Sequence, residues 1–104
     1  MIRITVTLPE PKDREGFDNH YFGTHLPLIK ALPFVEEVTV NKVFESNNLE
    51  FTPYLIAQFS FKSKSMMEES LASSHGGQLY SDVENLMNFL SGPPRIVFSE
   101  TLGN

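Results

Sequence analysis

Apolar and polar positions alternate strictly at the start of the chain. Ile2, Ile4, Val6 and Leu8 fall on one face, Arg3, Thr5 and Thr7 on the other. That is the period of a half-buried strand, and Pro9-Glu10-Pro11 ends it. From Asp13 the period lengthens. Phe17, Tyr21, His25, Leu28 and Leu32 follow at spacings of four, four, three and four. At about 100° per residue they span roughly 80° of arc, and Phe22 and Ile29 widen the stripe. The spacing predicts an amphipathic helix over 13–32, packed on a sheet and closed by Pro33. Asp13 suits its N-cap, and Glu15 and Asp18 suit the positive end of the dipole. Pro27 interrupts it, because proline deletes a hydrogen bond and clashes with the carbonyl four residues earlier, here that of Gly23. A glycine there lets the backbone bend away. The helix is therefore expected to kink or split between residues 23 and 27, with His25 in the break.

Residues 35–45 are β-branched and aromatic enough for a second strand. Ser46-Asn47-Asn48 is turn chemistry and suggests a hairpin. A third strand follows over 53–61, with Leu55, Ala57, Phe59 and Phe61 on its oily face and Tyr54, Ile56, Gln58 and Ser60 on a mixed one. Ser63 or Ser65 caps a second helix through Ser73, and Gly76-Gly77 reads as a helix stop. Residues 78–90 read as a third, shorter helix ended by Gly92-Pro93-Pro94, and 95–102 as the last strand. The order is β-α-β-β-α(α)-β. This predicts an α+β, ferredoxin-like fold, a four-stranded antiparallel sheet in the order 4-1-3-2 with helices on one face. The other face is expected to carry Arg3, Thr5, Thr7, Tyr54, Ile56, Gln58, Arg95, Val97 and Ser99. Such a mixed surface suits either water or a second subunit.

Composition narrows the classes. The 104 residues fit one domain, 1–104, and leave no room for a second. A net charge of −5 argues against nucleic acid as a partner, which needs clustered Lys and Arg. The absence of cysteine removes disulfides, zinc–thiolate sites, iron–sulfur clusters and thiol nucleophiles. No apolar run approaches the roughly 20 residues that span a bilayer, and the N-terminus reads as a strand rather than a signal peptide. The expectation is a cytoplasmic protein with no membrane partner. There is no His-Glu-x-x-His, P-loop or Gly-x-Gly-x-x-Gly. His20 and His25 lie about 140° apart on a helix and do not easily share a metal. Neither metal nor cofactor is expected.

His25 is the first candidate for chemistry. On the apolar stripe its ring points toward the sheet, where a half-buried imidazole can move a proton near neutrality. A core histidine tied to a backbone carbonyl is the plain alternative. Tyr21, one turn earlier on the same face, can orient the imidazole or a ligand oxygen, or be core. Asp82 and His75 come from the region of the third helix, and either can reach a pocket mouth. Asp82 also suits a surface helix position.

The stretch Phe17-x-x-x-Tyr21-x-x-x-His25-Leu26-Pro27-Leu28, ending at Leu32-Pro33, resembles the EthD family, in which an aromatic helix leads into a His-x-Pro-Leu segment. The later run Tyr54-Leu55-Ile56-Ala57, Phe59-x-Phe61, Ser73-Ser74-His75-Gly76 and Asp82-Val83-x-Asn85-x-x-x-x-Phe89 also fits, more loosely before Phe89. The resemblance covers nearly the whole chain. It implies a dimeric α/β barrel, in which two ferredoxin-like protomers press their helix-free sheet faces together as a homodimer. It also implies a pocket in each protomer between sheet and helices. His25 matches the family's characteristic histidine and Asp82 its recurrent acid. The family names a fold and a pocket and leaves the reaction open.

Three readings of function follow. The first is a small cofactor-independent enzyme acting on a hydrophobic, oxygenated small molecule. His25 is its general acid/base, Tyr21 or Asp82 orients it, and Phe22, Phe59, Phe61 and Phe89 are candidate pocket walls. The second is a non-catalytic binding protein for a small apolar ligand. The third is haem binding or degradation, with His75 near the second helix. The lack of tryptophan and the glycines after His75 argue against the third.

Overall fold

The computed structural model describes residues 1–103; Asn104, the end of the expected domain, lies outside them. The elements run β1 (Ile2–Leu8), α1 (Arg14–His20), a π-helical turn (Tyr21–His25), α2 (Leu26–Lys30), β2 (Glu37–Lys42), β3 (Leu55–Phe61), α3 (Lys64–Ala72), α4 (Ser74–Met87) and β4 (Arg95–Glu100). The four strands form one antiparallel sheet in the order β2-β3-β1-β4, the expected 4-1-3-2 read from the other edge. Backbone extents of 35 × 31 × 17 Å describe a slab, one sheet thick and one helical layer thick.

Register sets which residues meet the helices. Ile4 lies between Phe59 and Phe98, and Val6 between Ala57 and Ile96. Residues directly opposite in an antiparallel pair share a face. Two clusters fill the space beneath the helices. One gathers Leu8, Phe17, Tyr21, Tyr54 and Leu86 under α1. The other gathers Ile4, Ile29, Phe59, Phe61 and Leu79 under α2 and α4.

Two caps follow the expectation: Asp13 accepts from the Gly16 amide at 3.0 Å and Ser63 from the Met66 amide at 3.2 Å. Other features depart from it. The strands are shorter than expected at β2, β3 and β4. Gly76 and Gly77 do not stop a helix, because α4 runs through them from Ser74. The break falls at Ser73, whose hydroxyl accepts from the Gly76 amide and caps α4. Gly76 is needed for a different reason: a Cβ there would run into the Leu71 carbonyl. Tyr54 is not on the helix-free face. It lies before the β3 ladder, buried edge-on against Phe17 with its hydroxyl on Asp18 at 2.9 Å.

Candidate functional site

Pro27 and the residues before it shape the site. The Leu26 amide reaches back five residues to the Tyr21 carbonyl, so the helix widens by one residue. Pro27 then falls in the first turn of α2, where no amide donor is required. The expected break is therefore a π-turn in a continuous helical path. Gly23 does not create it by making room, since a Cβ at 23 would meet nothing and its φ is ordinary.

The wide turn changes which side chains share a face. Residues five apart diverge by about 140° on an α-helix but come nearly into line across a π-turn. His20 and His25 accordingly converge on one carboxylate, that of Asp82 from α4. His25 Nδ1 lies 2.8 Å from Asp82 Oδ2, and His20 Nε2 lies 2.8 and 3.0 Å from the two oxygens. The Asn85 side-chain amide donates to Oδ1 at 3.0 Å. Asp82 is 6% exposed and His25 7%, so the pair is well out of water, whereas His20 is partly open.

These contacts fix protonation. Burial alone would raise the Asp82 pKa, but hydrogen bonds from Asn85, His25 and His20 outweigh it and hold the carboxyl below its ordinary value. An ionised carboxylate only accepts, so Nδ1 of His25 carries the hydrogen and Nε2 of the neutral ring keeps its lone pair. Burial lowers the His25 pKa, and the nearby Asp82 only partly restores it. Its imidazole is therefore held toward the neutral form.

The ring of His25 lines a cavity at the seam of the two core clusters. Leu8, Tyr21 and Leu86 come from the first cluster, and Ile4, Ile29 and Phe59 from the second. Its volume is about 90 Å³ for the centre of a water-sized sphere. A single water needs only roughly 10–15 Å³ on that measure, so a small molecule has room. Tyr21 stands beside His25, ring centroids 5.4 Å apart. Burial raises its pKa, so its hydroxyl keeps its proton. The Asp82 contact is made through Nδ1 of His25 and so leaves Nε2 outside it. Among the described residues no Lys, Arg, Asp or Glu lines the cavity.

The structure gathers His25, Tyr21 and Phe59 at the cavity, with Asp82 behind His25. It does not bring in the other candidates. Phe22 is half exposed and edge-on to Tyr21, turned outward by the π-turn. Phe61 is fully buried core beneath α3. Phe89 lies tilted against the His20 ring, centroids 5.9 Å apart, and His75 is exposed in the first turn of α4. His20 was missed because an α-helical period puts it on the wrong face; Pro27 two residues after a histidine was the available signal. No group of three or more His, Asp or Glu among the described residues is arranged to hold a metal ion.

The scaffold is ferredoxin-like, and its fold is similar to that of EthD family proteins. The chain superposes on an ethyl tert-butyl ether D (EthD) family protein from Bacillus halodurans C-125 with a TM-score of 0.84, at 22% identity over 98% of this chain and 99% of that one. An EthD-like protein from Ralstonia eutropha JMP134 gives 0.70 at 20% identity, covering 98% and 92%. A DABB family protein with a ferredoxin-like fold from Mesorhizobium loti gives 0.73 at 11%, covering 98% and 97%. In sequence, the chain is 31% identical over 100 residues to an uncharacterized 11.0 kDa protein of the thcB-thcC intergenic region of Rhodococcus erythropolis, covering 96% of this chain and 94% of that protein, and belongs to one family with it. No family model matches the chain. No helix among the described residues is long and apolar enough to cross a membrane.

Proposed function

We propose that the chain is a small cofactor-independent enzyme that moves a proton next to the carbonyl of a neutral, hydrophobic small molecule. One observation carries this reading: His25 has Nδ1 tied to a buried carboxylate while its ring lines an apolar cavity. In that arrangement Nε2 takes a proton from the carbon beside the carbonyl. The Tyr21 hydroxyl donates to the carbonyl oxygen as enolate charge develops there. Asp82 holds the tautomer and stabilises the imidazolium. Return of the proton to another carbon completes an isomerisation; attack of the enolate carbon on a second carbonyl, followed by protonation of the new alkoxide, completes a cyclisation.

Deuterium exchange tests the step without knowledge of the natural substrate. Wild-type protein in D₂O is expected to exchange the protons beside the carbonyl of an aryl ketone about 10²–10⁴-fold faster than His25→Gln. Circular dichroism checks that the variant is folded. Equal rates in both proteins would remove the catalytic reading. Binding without exchange would favour the non-catalytic binding protein, which the apolar lining also suits. The haem reading draws no support from His75, which is exposed and outside the cavity lining.

The same reading includes a homodimer through the helix-free sheet face. Ile56 and Val97 lie there among threonines, with Val97 exposed and no element laid over it among the described residues. Sedimentation is expected to give twice the protomer mass, and Val97→Lys to shift it toward the monomer.

A further inference from the structure

The cavity has an inner end and an outer end, and the outer end is built from side chains that a folded domain ordinarily covers. Ile96 and Phe98 sit on the helix side of β4, opposite Val6 and Ile4, yet are 52% and 56% exposed. Across from them Tyr80 of α4 is 60% exposed, and all three line the cavity. Among the described residues the buried end carries two polar side chains, Tyr21 and His25, and the third of the cavity, Tyr80, stands at the outer end.

We infer that the slot between Tyr80 and the Ile96–Phe98 pair holds the apolar tail of an elongated neutral carbonyl compound whose head lies at His25. The inference rests on the proposed function for the head and extends it to the rest of the molecule. Three observations select this occupant. The slot is continuous with the cavity, so one molecule can fill both. The inner polar groups offer a hydrogen bond to a carbonyl oxygen and a lone pair, and nothing more. No Lys or Arg among the described residues lines the cavity, so a carboxylate or phosphate head would be buried without a counter-charge, which is strongly unfavourable.

Calorimetric binding of straight-chain methyl ketones from butanone to nonanone tests the assignment. Affinity is expected to rise about three- to fourfold per methylene along the series, the transfer value for a buried CH₂. Ile96→Thr, Phe98→Thr and Tyr80→Gln are expected to flatten the rise for the long ketones and leave the short ones unchanged. Both strand substitutions keep β propensity at exposed positions. Fatty acids of matching length are expected to bind at least tenfold more weakly. A rise that stops at the short ketones, or that is the same in all three variants, overturns the proposal. So does a rise that vanishes as protein concentration increases, because a second copy would then be covering the slot. His25→Gln separates this from the catalytic reading: it is expected to remove exchange and keep the chain-length slope. A slope without exchange in the wild type sinks the catalysis alone.

Discussion

The two halves of the molecule are built on one plan, strand, interrupted helix, strand, and the interruptions do different things. In the first half the helical path stays continuous and widens by one residue at Tyr21–His25. In the second it stops at Ser73 and restarts in a new direction. The widening brings two histidines onto one side. The restart aims α4 so that Asp82 meets them. The strands diverge as well. Every residue of β3 is buried or half-buried, while every residue of β4 is exposed, although Ile96, Val97 and Phe98 make its centre apolar on both faces. The helices cover β1 and β3 and leave the β4 edge open. The cavity between them therefore has a buried inner wall and an uncovered outer one.

The largest expected effect tests that contrast directly. Phe17 is fully buried beneath α1, and Phe17→Ala should destabilise by about 3–5 kcal/mol in urea unfolding. Phe98→Ala, at a half-open position, should stay within about 1 kcal/mol. Similar losses at both sites would mean that β4 is covered in solution. A smaller effect separates the interruptions. Gly76→Ala should destabilise by about 1–3 kcal/mol, because the new methyl meets the Leu71 carbonyl. Gly23→Ala has open space and should be neutral, or stabilising by up to about 1 kcal/mol. The reverse ranking would assign the steric demand to the π-turn.

Smallest is the pH dependence of stability. The folded-state pKa of His25 lies below 6.5 and that of Asp82 below 3.8. In each case the unfolded chain binds more protons once pH falls beneath the ordinary value. Stability is therefore fully present above about pH 6.5 and declines on acidification, first through His25 and then through Asp82. His25→Gln should remove the decline that begins near pH 6.5 in thermal unfolding and leave the acid limb. An unchanged profile would show that the histidine does not titrate differently on folding.

Much of this architecture is legible along the chain. Strict alternation in Ile2–Leu8, the aromatic stripe from Phe17 and the caps Asp13 and Ser63 are local patterns, and each dictates its element. Pro27 marked the right place for a break. Its form was not legible, because a kink and a π-turn answer the same missing amide. Hence His20 was set on the wrong face. Gly76 was misread for a related reason: a helix tolerates glycine when the demand comes from a neighbouring turn. Tyr54 escaped alternation because it lies beyond the ladder that enforces it. Phe22, Phe61 and Phe89 were equivalent as aromatic residues, and only their neighbours separated them from Phe59.

Sequence by itself determined the order of elements, the sheet's apolar face and the inward position of His25, since periodicity and capping act between residues close along the chain. The tertiary structure alone decided that Asp82, distant in sequence, stands behind that imidazole, and that β4 is left bare. Both depend on the angle at which α4 crosses the sheet. α4 packs against α3, α2 and the π-turn, contacts between separate elements that no pattern within a single one encodes.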